Sequence, residues 1–339
     1  MKNVPGGRSE TPGPFTPMAI SSLRYPTADG DIGERPSFAS GFHAYRITSN
    51  ATISTGLLSG ISPEDCRNGH LLRHERAISK IIDSRANVIK FRRQQEEPVL
   101  IAGRNGEWNR LLKSLATPPN AAAAQDPDGR IHQVWPLLPT EAEAILRAGL
   151  PRLWVADGHH RNAAVGLLGQ PLLAAVFPAD SLALAAVHRG IPATCPFTPE
   201  LLSILAEKFP LQLLDQTPKH PFPREGELRL LLSRNTYAIR SRSPGADSVA
   251  VAHLAEEILS LVTLGKHTGE QTPVAYFGGE AGAKALAEQV GDDSLAGGIL
   301  LPAASLAEVE DAALNAQLFP PKTTWFVPKL IRGLVSLPF

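Results

Sequence analysis

The sequence predicts a mixed α+β protein built from a first region and a further α/β region at the C-terminal end. Three observations predict it. Short apolar runs bounded by Gly, Pro or Asp alternate with longer stretches of helical spacing. At 339 residues the chain exceeds the usual size of one domain. Hydrophobic residues make up 43% of it, enough to close a core unaided.

The elements follow in order. Residues 1–17 hold four prolines and three glycines and read as a disordered leader. His43 to Ile47 alternates like a strand, and Ala51 to Ser59 is its partner, with Gly60 at the end. Ser62-Pro63-Glu64-Asp65 is a helix start: hydroxyl cap, proline in the first turn, then acids at the positive dipole end. Glu75 to Phe91 has helical spacing, which places Glu75 at a helix start.

Val99 to Ala102 reads as a strand and Glu107 to Leu115 as a helix. Residues 117–125 read as an irregular Pro/Ala/Asn stretch before the turn Asp126-Pro127-Asp128-Gly129. A strand over Arg130 to Pro136 and a helix over Thr140 to Ala148 come next. Leu153 to Ala156 has the apolar profile of a buried strand, Asn162 to Leu168 is a helix, and Leu172 to Phe177 is a second buried strand. The composition shifts near Cys195-Pro196. This predicts one domain over 18–195 and an α+β or α/β region over 196–339. The second region reads as helix (200–208), two strands (227–232, 236–241), helix (249–264), strand (274–277), helix (281–290), strand (298–302) and helix (306–314).

Composition excludes several functions. Lysine plus arginine equals aspartate plus glutamate at 33 each, so no global field draws the chain to nucleic acid or anionic membrane. Cys66 and Cys195 alone make neither a zinc site nor a disulfide framework, and read as reduced thiols. No run reaches the roughly 18 apolar residues of a membrane span, which with the absent signal peptide predicts a cytoplasmic protein.

The chemistry concentrates in Asp157-Gly158-His159-His160-Arg161, between a buried strand and a helix. The unpaired amides of a helix start attract anions. Gly158 permits close backbone approach or a positive φ. The two histidines and Arg161 add donors, and arginine binds two phosphate oxygens at once. Asp157 is placed to orient a nucleophile, hold a metal or set a histidine tautomer. His74-Glu75, flanked by Arg73 and Arg76, is the second candidate: a capping acid, or a general base if folding brings it near the phosphate site.

Together His74-Glu75 and Asp157 to Arg161 resemble the two boxes of the ParB-like free serine kinases. The wider chain resembles the family called domain of unknown function 1015. Further stretches carry the likeness: Gly56-Leu57-Leu58, Leu72 to Arg85, Asp126 to Trp135, Leu153 to Ala164, Asp180 to Arg189 and Leu318 to Val335. The chain departs from the family pattern at Ala77, at Asn162 and in lacking a Pro-Tyr-Asp segment near its start.

The resemblance implies a ParB/sulfiredoxin-like core and phosphoryl transfer from ADP or ATP to the hydroxyl of free L-serine. In that reading Glu75 accepts the hydroxyl proton, and Asp157 orients the hydroxyl or a magnesium ion. His74, Gly158, His159, His160 and Arg161 hold the substrate and phosphate. His188, Arg189, Lys322, Thr323 and Thr324 are accessory candidates. Two other readings stand beside it: a ParB-like nucleotide-binding switch associated with DNA, and a non-catalytic small-molecule sensor. A sulfiredoxin-type enzyme would need a cysteine where this chain has histidines.

Overall fold

A computed structural model describes residues 17–20, 41–49, 51–67, 70–149, 152–214, 222–241, 246–263 and 274–339. The leader expected over 1–17 lies outside these residues, apart from Pro17. The first half runs β1 (His43–Thr48), β2 (Ile53–Ile61), α1 (Pro63–Arg67), β3 (Leu71–Leu72), α2 (Ser79–Arg92), β4 (Gln94–Gln95), β5 (Val99–Gly103), α3 (Gly106–Ser114), β6 (Ala122–Gln125), β7 (Ile131–Pro136), α4 (Pro139–Arg147), β8 (Leu153–Asp157), α5 (His159–Leu168) and β9 (Leu172–Pro178). The second half runs β10 (Ala183–Pro192), α6 (Pro199–Lys208), β11 (Leu211–Leu214), β12 (Glu227–Leu231), β13 (Thr236–Arg240), α7 (Ser248–Val262), β14 (Ala275–Gly278), α8 (Gly279–Gly291), β15 (Leu295–Leu300), α9 (Leu306–Leu314), β16 (Thr324–Val327) and β17 (Leu337–Pro338).

The molecule is a mixed α+β structure with two large sheets. The first has the order β3-β8-β5-β9-β2-β1-β7-β6. Its continuous apolar strands take the centre: every residue of β5 and β9 is buried. The β3–β8 and β5–β9 pairs are parallel, and the remaining pairs are antiparallel. The second sheet has the order β11-β13-β12-β15-β10-β14, with β16 also on β10. All its pairs are antiparallel, so of the two classes expected for the C-terminal region, α+β or α/β, the sheet is that of α+β.

Local signals place many of the ends. Ser62 Oγ accepts the Asp65 N–H at 3.0 Å and starts α1, and Pro139 opens α4. The turn before β7 closes through Gly129 N–H to the Asp126 carbonyl, with φ +81° at Gly129. Three expectations are corrected. Gly60 continues β2 through a bridge to Met18 rather than ending it. Residues 122–125 form β6 by pairing with β7, although their sequence shows little strand preference. α2 begins at Ser79, so Glu75 precedes the helix: residues 74–76 run extended beside Phe319, with the Phe319 N–H bonded to the His74 carbonyl at 2.7 Å.

The end of the chain returns to the first sheet. β17 pairs with β4, and Phe319, Phe326, Leu330, Leu334, Val335 and Leu337 enter the same core cluster as Tyr45, Leu58, Leu100 and Phe177. No helix among the described residues is long and apolar enough to cross a membrane.

Candidate active site

β8 ends on Asp157, and the chain turns into α5 at Gly158, whose φ is +100°. That conformation suits glycine. A Cβ there would lie 3.1 Å from the Arg161 guanidinium carbon, so the turn requires glycine on two counts. No side chain caps the α5 start. Its first backbone N–H groups therefore remain available to an anion.

Asp157 is held by two cations. Arg161 donates to Oδ2 at 2.9 Å, and the Lys329 ammonium bonds to Oδ1. Burial alone would raise the Asp157 pKa, but the charges of Lys329 and Arg161 outweigh it and bring the group to about 2. Arg161 also donates to the backbone carbonyls of Glu97 and Pro98 and reaches the Glu97 carboxylate at 3.0 Å. Lys329 sits 4.7 Å above the Trp325 ring. Trp325 in turn lies against Gly278, where a Cβ would approach it to 2.5 Å.

Glu75 is 6% exposed and organises the loop before β16. Its Oε1 accepts the Lys322 N–H at 2.9 Å. Oε2 accepts the Thr323 N–H at 3.2 Å, with the Thr324 N–H and hydroxyl at 3.4 and 3.2 Å. The expected capping acid thus caps a loop almost 250 residues away in sequence. His74 is fully buried and bonds the Thr324 hydroxyl through Nε2 at 3.0 Å. Burial, reinforced by His159, lowers its pKa to about 3. Burial likewise holds His159 near 3, and its ring meets His74 edge-on at 4.6 Å. His160 Nε2 accepts the Ile78 N–H at 3.0 Å, so the neutral ring carries its proton on Nδ1 and ties α5 to the start of α2.

These groups meet at a cavity of about 290 Å³. Of the expected residues, Glu75, Asp157, Gly158, His159, His160, Arg161, Lys322 and Thr324 line it. His74 and Thr323 lie behind it, the Thr323 hydroxyl donating to the Pro320 carbonyl at 2.8 Å. His188 lines a different cavity. Arg189 is fully buried, with its guanidinium 4.9 Å from the Tyr276 ring, and so backs an aromatic wall of the site. Sequence reasoning left Arg85, Glu97, Tyr276, Trp325 and Lys329 unassigned, although all line the cavity. For Lys329 a signal existed, since it belongs to the C-terminal stretch that carries the resemblance. Tyr276 gave none.

The lining is cationic on balance: Arg85, Arg161, Lys322 and Lys329 face Glu75, Glu97 and Asp157. That charge suits an anionic ligand. It does not suit a resident metal. Each carboxylate is already engaged, Glu75 by amides, Asp157 by two cations and Glu97 by Arg161. No group of three or more metal-ligating side chains occurs among the described residues.

Fold and site together define a mixed α+β protein with a small, cation-rich cavity at a glycine-gated helix start. The chain belongs to the family described as "Protein of unknown function (DUF1015)", whose model matches residues 37–261. No curated protein matches it. Among solved structures it is similar to a free serine kinase mutant in complex with ADP, at 13% identity and TM-score 0.49, covering 82% of this chain and 92% of that one. It is similar to a free serine kinase in complex with AMP at 16% identity and TM-score 0.47, covering 82% and 91%. SbnI with a C-terminal truncation, from Staphylococcus aureus, is similar at 11% identity and TM-score 0.46, covering 83% and 87%. At these TM-scores none of the likenesses bears on substrate or activity.

Proposed function

We propose that this chain is a nucleotide-dependent phosphotransferase acting on the hydroxyl of a small amino acid, free L-serine, with ADP or ATP as donor. The observation that carries the reading is the meeting of Glu75, Asp157 to Arg161 and Lys322 on one cavity, from segments far apart in sequence. In this reading the fold is ParB-like, with a catalytic domain over 18–195 that region 196–339 completes.

Phosphoryl transfer needs positioning and charge neutralisation above all. The amides at the α5 start, with Lys322, Arg85 and the outer faces of Arg161 and Lys329, neutralise the phosphates. The serine oxygen forms a bond to phosphorus as the bond to the bridging phosphate oxygen breaks. Its proton passes to Glu75 Oε1, which accepts a single N–H and keeps acceptor capacity. The shortened nucleotide leaves with the electron pair. Asp157 holds Arg161 and Lys329 in place, a positioning role that needs no metal on its oxygens.

The test is phosphorus NMR of the protein with serine and either ADP or ATP. O-phosphoserine is the expected product, and Glu75→Gln should lower its rate by about 100-fold or more while nucleotide still binds. Full turnover by Glu75→Gln sinks the base assignment. A second reading, a non-catalytic sensor, draws on the engagement of all three cavity carboxylates. It predicts nucleotide binding with no product from any hydroxy amino acid.

A further inference from the structure

Arg189 takes no part in the phosphate chemistry above, yet it is a fully buried cation. Burying a guanidinium is costly unless it finds partners. Its Nη1 donates to the Val187 carbonyl at 2.9 Å, and Nη2 lies 3.7 Å from the Glu256 carboxylate. Its Cζ lies 4.9 Å from the centre of the Tyr276 ring. Tyr276, on β14, is the cross-strand partner of Arg189. The tyrosine is 37% exposed and lines the active cavity.

A second ring extends this surface. Gly278 is two residues along β14 and shares a face with Tyr276. The Trp325 indole lies directly against it: a Cβ at Gly278 would meet the ring-fusion atoms Cδ2 and Cε2 at 2.5 and 2.7 Å. Glycine is thus what lets the indole rest on the strand. Trp325 is 38% exposed and lines the same cavity. Residues two apart in a strand are separated by roughly 7 Å, close enough for the two rings to form one shelf. The Lys329 ammonium, bonded to Asp157 and 4.7 Å from the indole, joins that shelf to the cations of the cavity.

A cavity that carries both cations and exposed aromatic rings matches a ligand with an anionic group and a planar ring. We propose that Tyr276 and Trp325 hold the base of the nucleotide donor by stacking, with its phosphates directed to Lys329, Arg161 and the α5 start. The Arg189 guanidinium against Tyr276 draws density from the ring and strengthens the stack. This rests on the nucleotide reading above and adds to it the residues that select the base.

The test is binding of ADP, of adenosine and of pyrophosphate, which lacks the base, read by calorimetry and by tryptophan emission. Trp108, Trp135 and Trp154 are buried, so Trp325 supplies the quenchable emission. ADP and adenosine should quench it, and pyrophosphate should not. Tyr276→Leu and Trp325→Leu should each weaken ADP about tenfold, while Tyr276→Phe keeps ADP binding. Unchanged pyrophosphate binding shows that each variant stays folded. In turnover, Tyr276→Leu should raise the KM for the nucleotide and leave that for serine alone. The proposal is overturned if ADP binds no more tightly than pyrophosphate, if both leucine variants bind ADP normally, or if adenosine leaves the emission unchanged. Stacking without any phosphoserine would refute the phosphotransfer reading and leave the shelf standing. Phosphoserine formed by Tyr276→Leu with an unchanged nucleotide KM would do the reverse.

Discussion

Asp157 shows how much a single side chain depends on what folding brings to it. Its sequence position promised a ligand for substrate or metal, yet both oxygens are engaged by Arg161 and Lys329. Its folded pKa of about 2 lies below the ordinary 3.8. The ion pairs therefore stabilise the fold above pH 3.8, and that contribution disappears as pH falls through about 2. Solvent reaches about a third of the side chain, so the contribution is on the order of 1 kcal/mol. Lys329→Met should move the Asp157 pKa upward, read by carbon NMR of the carboxyl group; an unmoved value would separate the two groups. Gly158→Ala should destabilise the protein by roughly 1–3 kcal/mol in denaturant melts, because φ +100° and the nearby guanidinium both oppose a Cβ. A neutral outcome there would mean that the turn relaxes freely.

Among the elements, helix starts were the most legible and pairings the least. α9 opens with a capping box: Ser305 Oγ accepts the Glu308 N–H at 3.1 Å and Glu308 returns to the Ser305 N–H at 2.7 Å. The other Glu308 oxygen accepts the Ser248 N–H at 2.7 Å, so one carboxylate serves the starts of both α7 and α9. Glu308→Ala should therefore cost more than Ser305→Ala, about 2 against about 1 kcal/mol. Equal losses in urea melts would show that the link to α7 contributes nothing. The start of α2 was misplaced for a related reason. Helical spacing extends back to Glu75 in the sequence, but Phe319 pairs with residues 74–76 and holds them extended. Local periodicity contains no information about a partner so distant in the chain.

Among the described residues, burial brings four histidines to about 3 or 4, His74 and His159 to about 3 and His43 and His188 to about 4, and it also lowers His132 and His160. An unfolded chain protonates each near pH 6.5. Their contribution is complete above that pH and diminishes as pH falls from 6.5 toward 4, since the unfolded state then binds more protons. With all four titrating, the slope approaches about 5 kcal/mol per pH unit. Thermal melts should fall steeply between pH 6.5 and 5; a flat melting temperature over that range would contradict the neutral, buried assignment.

The sequence by itself determined the mixed α+β class, most of the helices and buried strands, and the two short boxes that meet at the cavity. These are local properties: apolar period, cap residues, and a strand running into a glycine-started helix. The tertiary structure alone decided what those boxes do to one another. It set Lys329 on Asp157, put the amides of 322–324 on Glu75, and turned His160 toward the Ile78 N–H. It also wrapped the chain's end back onto the first core. Each of these contacts joins residues about 80 to 250 positions apart. They arise from packing that no window of the sequence contains, which is why the boxes were readable and their partners were not.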